Sequence, residues 1–255
     1  MVLRRTAYFL ATLLCLVSCT STLPLPTPPQ QQNPIPEVFD PFVATNNEND
    51  PYPFVGSIHR ENGSLVGGGV LIAPDVVLTA GHCIDNKKID SVYFGEMCVP
   101  VSSTLLHPEY EMYGRPVNDI GIIFLEYPVD INPISLHNNR VLWRFSDITV
   151  IGYSFGYKKY SKPSVFQYYG TILEDINEIK FLPRRATIWF GDSGGAVIAT
   201  LEGEERLVGI ITSFLTDEFG IVECSATRIK FYRGWIEEVL NEQGLDGRGS
   251  RMGEQ

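Results

Sequence analysis

The chain has 255 residues, 44% of them hydrophobic and 20% charged, which is enough apolar material to bury a core as one or two compact lobes. Its formal charge of −10 repels phosphate backbones and anionic headgroups, so general affinity for nucleic acid or a lipid surface is excluded. A protein or peptide partner is expected instead.

Taken in chain order, Met1-Val2-Leu3-Arg4-Arg5 precedes an apolar run from Thr6 to Val17. That run is too short for a membrane span, which needs about 20 residues, and basic residues followed by a short apolar run read as a signal peptide over 1–19. Leu16-Val17-Ser18-Cys19 resembles a bacterial lipobox, in which Cys19 would be lipidated. Ordinary signal-peptidase cleavage at the small residues Ser18 to Ser21 is the alternative. Residues 20–40 are rich in Pro, Gln, Ser and Thr and predict an extended linker. The expected location is therefore secreted or extracytoplasmic, with membrane attachment only through a lipid.

From Pro53 to about Ser225, short runs rich in Val, Ile, Phe and Tyr are broken by Gly, Pro, Asn and Asp. Strands are predicted at Phe54 to His59, Gly68 to Ile72, Val76 to Thr79, Ser91 to Phe94 and Gly121 to Leu125. Others fall at Thr149 to Ile151, Gly195 to Ala199 and Leu207 to Thr212. Many short strands without βαβ alternation indicate an all-β sandwich or barrel. One helix is predicted, Phe231 to Asn241, with Trp235, Val239 and Leu240 on its apolar side. Residues 243–255 are polar and read as a disordered tail.

The motifs that carry chemistry lie within the strand-rich region. Serine is a weak nucleophile at neutral pH, so acyl transfer needs an imidazole to take its proton, a carboxylate to orient that imidazole, and amides aimed at the oxyanion. Gly191-Asp192-Ser193-Gly194-Gly195 offers a serine on a turn that flanking glycines let bend sharply. In this turn the Gly191 and Ser193 amides can face one oxygen. His82 ends the strand-like run Val77-Leu78-Thr79-Ala80-Gly81, and Asp119 opens the apolar run Ile120 to Leu125. Asn62-Gly63-Ser64 is a glycosylation sequon. No Cys or His pair shows metal-ligand spacing, so neither a metal nor a cofactor is expected.

The order His82, Asp119, Ser193 and the strings around them resemble the trypsin-like (chymotrypsin-fold) serine peptidases. Gly68 to Ile72, Val92-Tyr93-Phe94-Gly95, His107-Pro108-Glu109-Tyr110, Val150-Ile151-Gly152-Tyr153, Thr227-Arg228-Ile229 and Trp235-Ile236 match further family segments. The resemblance covers roughly Pro53 to Leu240. It implies two packed antiparallel β-barrels, at about 50–130 and 140–229 within a peptidase domain 41–242, and a terminal helix at 231–241. His82, Asp119 and Ser193 would be the catalytic triad, and the chain a monomeric endopeptidase. Thr212 would stand beside Asp119 and donate its hydroxyl to it. Asp192 would need a partner, since no standard activation terminus is visible near Pro41 or Phe42.

The primary pocket implied by the resemblance has Thr187 at its base and Phe214 and Cys224 in its walls. Threonine supplies no carboxylate, so cleavage after Arg or Lys is not expected, and the crowded walls imply a shallow pocket for small or medium apolar groups. The disulfide partner expected for Cys83 falls near Gly67, and Trp189 stands at another customary cysteine. Cys83 with Cys98 is the remaining candidate disulfide. A catalytically silent homologue that binds peptides or regulates a protease is the competing class.

Overall fold

A computed structural model describes residues 43–44, 50–137, 147–154, 158–160, 164–165, 177–181, 188–218 and 220–244. The export segment with Cys19, the linker, the residues beyond 244 and Thr187 lie outside the described residues.

The first half opens with the short strand β1 (Val43–Ala44) and continues through β2 (Val55–His59), β3 (Leu65–Ala73) and β4 (Val76–Thr79). A single helical turn, α1 (Gly81–Ile84), precedes β5 (Ser91–Phe94), β6 (Met97–Leu106), the hairpin pair β7 (Glu111–Tyr113) and β8 (Arg115–Val117), and β9 (Gly121–Leu125). Strands β2-β3-β4-β9-β6-β5 close into an antiparallel barrel. Closure removes every free sheet edge, which is how a small all-β lobe avoids exposing unpaired backbone. The central strand β4, Val76-Val77-Leu78-Thr79, is buried at all four positions. Its apolar run needs cover on both faces.

The second half contributes β10 (Asp147–Gly152), β11 (Lys159–Tyr160), β12 (Ser164–Val165), β13 (Glu178–Phe181), β14 (Ala196–Leu201), β15 (Glu204–Asp217) and β16 (Gly220–Arg228). They form one sheet in the order β1-β11-β10-β14-β15-β16-β13, with β12 also on β10. Two barrels are expected from the sequence; among the described residues this second sheet does not close. β14 and β15 are joined by the tight turn Glu202-Gly203, both residues at positive φ (55° and 85°), and a bulge between Val197 and Ile198 bends the ladder.

The largest core cluster runs from the first barrel (Val55, Leu71, Leu78, Ile122) across to Ile151, Ala196 and Ile210 of the second sheet. A smaller cluster, including Ile148, Phe181, Ile188 and Cys224, fills the second sheet's other face. The helix α2 (Ile229–Glu242) buries Ile229, Tyr232, Ile236, Val239 and Leu240, three to four residues apart as a one-sided helix requires. It begins two residues earlier than expected, and Trp235 packs at the margin of this face. No described helix is long and apolar enough to cross a membrane.

The expected Cys83–Cys98 disulfide is not formed: Cys83, Cys98 and Cys224 are all free thiols. Cys98 is exposed on β6, whereas Cys83 is fully buried in the turn α1. A side chain on the outer surface of a barrel strand does not reach one sealed inside without backbone movement.

Candidate active site

The loop from β15-facing Ile188 to β14 carries the candidate nucleophile and is docked onto the first barrel by its backbone. The Gly68 amide donates to the Ser193 carbonyl at 2.7 Å. A Cβ on Gly194 would come within 2.1 Å of the Gly68 carbonyl and 2.3 Å of the Thr79 hydroxyl. With φ at +81°, this position accepts only glycine without displacing β3. Gly67 lies at the same contact: a Cβ there would meet the Ser193 carbonyl at 2.4 Å and Cys83 Sγ at 3.0 Å. The close approach of the two halves therefore brings Ser193 alongside the turn that holds His82 and Cys83.

His82 and Asp119 come together from different strands. α1 follows β4 and β9 follows Asp119, and β4 pairs with β9, with Thr79 opposite Gly121. That register puts the two side chains at one end of the ladder. Asp119 Oδ1 accepts the His82 backbone amide at 2.8 Å, and Oδ2 accepts the ring Nδ1–H at 2.8 Å. The carboxylate is 4% exposed and the imidazole 23% exposed. Two charged-acceptor bonds offset the cost of burying Asp119. Around it, the Thr227 hydroxyl donates to the Asp119 carbonyl at 2.8 Å. Asn118, at φ +48°, is tied by its Nδ2 to the Glu109 carbonyl at 2.7 Å and by its Oδ1 to the Tyr232 hydroxyl at 3.0 Å. A cavity of about 300 Å³ lies behind Asp119, lined by Val117, Glu178 and Tyr232 among others.

Burial works against the charged form of His82, but the hydrogen bond and charge of Asp119, with the nearby Cys83, outweigh it and raise the imidazole above its ordinary 6.5. With Nδ1–H committed to Asp119, Nε2 of the neutral ring is the acceptor. It faces the Cys83 thiol at 3.8 Å. The Ser193 hydroxyl donates to the Thr212 carbonyl at 3.4 Å, and among the described residues it makes no hydrogen bond to His82.

Gly191 sits at φ +97°, and among the described residues neither the Gly191 nor the Ser193 amide donates to a protein acceptor. Asp192, 2% exposed, holds the turn from within. Its Oδ1 accepts the Ser154 amide at 2.7 Å and its Oδ2 the Trp189 amide at 2.8 Å. The sequence called for a partner to Asp192, and these two backbone amides are among those it has.

Two further expectations change. The Thr212 hydroxyl donates to the Ser225 carbonyl at 3.2 Å and not to Asp119, because the ladder between β15 and β16 turns it toward its neighbouring strand. Thr212 meets the candidate nucleophile through its carbonyl. Cys224, expected in a pocket wall, is fully buried in the second core cluster, paired across the ladder with Phe214, and offers a ligand no surface. The sequence reading passed over Cys83 at Nε2 and Thr227 under Asp119. It also missed the cluster of Trp189, Phe190 and Phe214, for which two adjacent aromatics just before Gly191 were the available signal.

The Trypsin family matches residues 43–236. The chain is 24% identical over 231 residues to vitamin K-dependent protein C of Mus musculus, an alignment covering 74% of this chain and 49% of that protein. The chain thus spans about half the length of this relative. With a match over most of its length, a closed six-stranded barrel packed on a second sheet, and a terminal helix, the chain belongs to the trypsin family.

Proposed function

We propose that the chain is an exported serine endopeptidase that hydrolyses peptide bonds through an acyl-enzyme on Ser193. The observation that carries this reading is the buried His82–Asp119 pair, bonded twice at 2.8 Å, beside a turn whose Gly191 and Ser193 amides donate to no acceptor among the described residues. In the proposed cycle Ser193 Oγ turns from the Thr212 carbonyl to His82 Nε2 and gives up its proton as it attacks the scissile carbonyl. The oxyanion is received by the Gly191 and Ser193 amides. His82 then protonates the leaving amine, water enters, and the same steps in reverse release the acid. Asp119 orients the ring and favours its charged form throughout. No cofactor is required. The export segment and either lipidation at Cys19 or ordinary cleavage remain part of this proposal, as does a protein or peptide substrate that does not present Arg or Lys to the primary site.

A second reading, a silent homologue with a binding role, draws on one observation: at rest Nε2 faces Cys83 and Ser193 faces Thr212. A fluorophosphonate probe separates the two. Labelling of the wild-type protein and none of Ser193→Ala supports the peptidase. A folded wild-type protein that stays unlabelled refutes it.

A further inference from the structure

We infer that this chain selects its substrates on an open aromatic shelf, built from Trp189, Phe190 and Phe214, which stacks an aromatic side chain on the residue whose carbonyl Ser193 attacks. The inference rests on the peptidase reading and concerns the same site.

Trp189 and Phe214 lie nearly parallel, 14° apart with centroids 5.6 Å distant. Phe190 stands edge-on to both, at 80° and 5.8 Å from Trp189 and at 73° and 5.4 Å from Phe214. The three rings thus meet at a corner, the Trp189–Phe214 stack on one side and Phe190 edge-on to it. A ring entering that corner stacks on one surface and presents its edge to the other, the two arrangements that aromatic pairs favour. An alanine side chain reaches neither.

Among the described residues, the side chains beneath the shelf are core. Ile188 and Cys224 are 4% and 0% exposed, and Phe214 packs on their cluster. The Ile188 amide bonds to the Cys224 sulfur, while burial pushes the thiol up to about 12, so it stays uncharged. The nearby Glu223 carboxylate is engaged by Lys180 at 2.8 Å. These groups give a basic side chain no free charge to meet.

The shelf is also fixed relative to the nucleophile. The Trp189 amide and carbonyl are both held by Asp192, through Oδ2 at 2.8 Å and the backbone amide at 3.0 Å. The same residue therefore sets the rings and the Gly191-Asp192-Ser193 turn. Phe214 lies two residues beyond Thr212, whose carbonyl receives Ser193 Oγ. Structural duty does not account for Phe190, which is 75% exposed, or for Trp189 at 40%. Such exposed apolar surface next to a reactive group marks a binding surface.

The experiment compares kcat/KM for peptides that differ only at the residue before the cut, Phe or Tyr against Ala and Lys, in the wild-type protein and in Phe190→Ser and Phe214→Ala. Phe190 is so exposed that its replacement leaves the fold intact. An aromatic preference in the wild type that falls roughly tenfold in Phe190→Ser, the loss expected for one aromatic pair, supports the shelf. A structural defect would lower all the peptides together and leave the ratio unchanged, which would overturn it. A flat profile in a wild-type protein that fluorophosphonate labels overturns the shelf while leaving the peptidase reading intact; an unlabelled wild-type protein removes both. A flat profile with a concentration-dependent dimer that Phe190→Ser abolishes assigns the shelf to a second copy of the chain and also overturns the inference.

Discussion

Replacing Asp192 by Asn tests whether one buried carboxylate holds the whole nucleophile turn. Asp192 accepts two backbone amides at 2.7 and 2.8 Å while 2% exposed. A hydrogen bond to a charged group contributes about 1.5–3 kcal/mol, and a buried donor left facing another donor costs about 1–3 kcal/mol. Asn keeps one neutral acceptor and turns its NH₂ toward an amide, so the change costs roughly 3–5 kcal/mol. With a urea slope of about 2–3 kcal/mol/M for a domain of this size, the unfolding midpoint drops by roughly 1–2 M. Because the same bonds shape the Gly191 and Ser193 amides, the rate of fluorophosphonate labelling in folded protein falls as well. Ser193→Ala, which removes only a 3.4 Å bond, serves as the control and leaves the midpoint nearly unmoved. A midpoint shift in Asp192→Asn below about 0.5 M, with labelling unchanged, would refute the claim that this carboxylate organises the turn.

Gly152→Ala reaches the same carboxylate by steric means, since the new Cβ would lie 2.3 Å from Asp192 Oδ1; loss of labelling comparable to Asp192→Asn is expected in the same assay. The His82 pKa is raised in the fold, and the base acts when neutral, so kcat/KM rises with pH through a midpoint above 6.5. Asp119→Asn lowers that midpoint and cuts kcat by about 10⁴, as a pH–rate series would show. By linkage, the His82–Asp119 pair stabilises the fold fully below the unfolded value near 6.5. That contribution fades as pH rises through the higher folded value, so the stability gap between wild type and Asp119→Asn narrows in alkaline melts. Lys158 and Asp50, 6% and 13% exposed and bonded at 2.5 Å, form a buried pair. Asp50→Asn alone destabilises by about 3 kcal/mol, whereas adding Lys158→Met restores most of it, a cycle that urea titration resolves. Of the three domain cysteines, native alkylation followed by mass measurement should modify Cys98 alone, with Cys83 and Cys224 reacting only after unfolding, in keeping with their burial.

Strands that face the interior announced themselves in the sequence, because burial on both faces demands an unbroken apolar run; Gly121 to Leu125 and Val76 to Thr79 are of this kind. Strand β6 was not legible. Its exposed stretch Ser102-Ser103-Thr104 and a bulge between Val101 and Ser103 blur the two-residue period, and its place is set by pairing with β5 and β9. Strand β13, and β16 before its Thr227-Arg228 end, were missed for a related reason: Lys180 and Glu223 interrupt their apolar pattern, and only the ladder joining the two strands makes that pair intelligible.

The amino-acid sequence by itself determined the family-like order of His82, Asp119 and Ser193, the barrel-forming strands of the first half other than β6, and the sharp glycine turn around Ser193. These are local properties of residue type and spacing. Tertiary structure alone decided that the Thr212 hydroxyl serves Ser225, that Cys83 lies against His82 Nε2, and that Cys224 fills core while Trp189, Phe190 and Phe214 meet at the surface. Each depends on which strands pair and in what register, and a shift of one residue in a ladder sends every side chain to the opposite face.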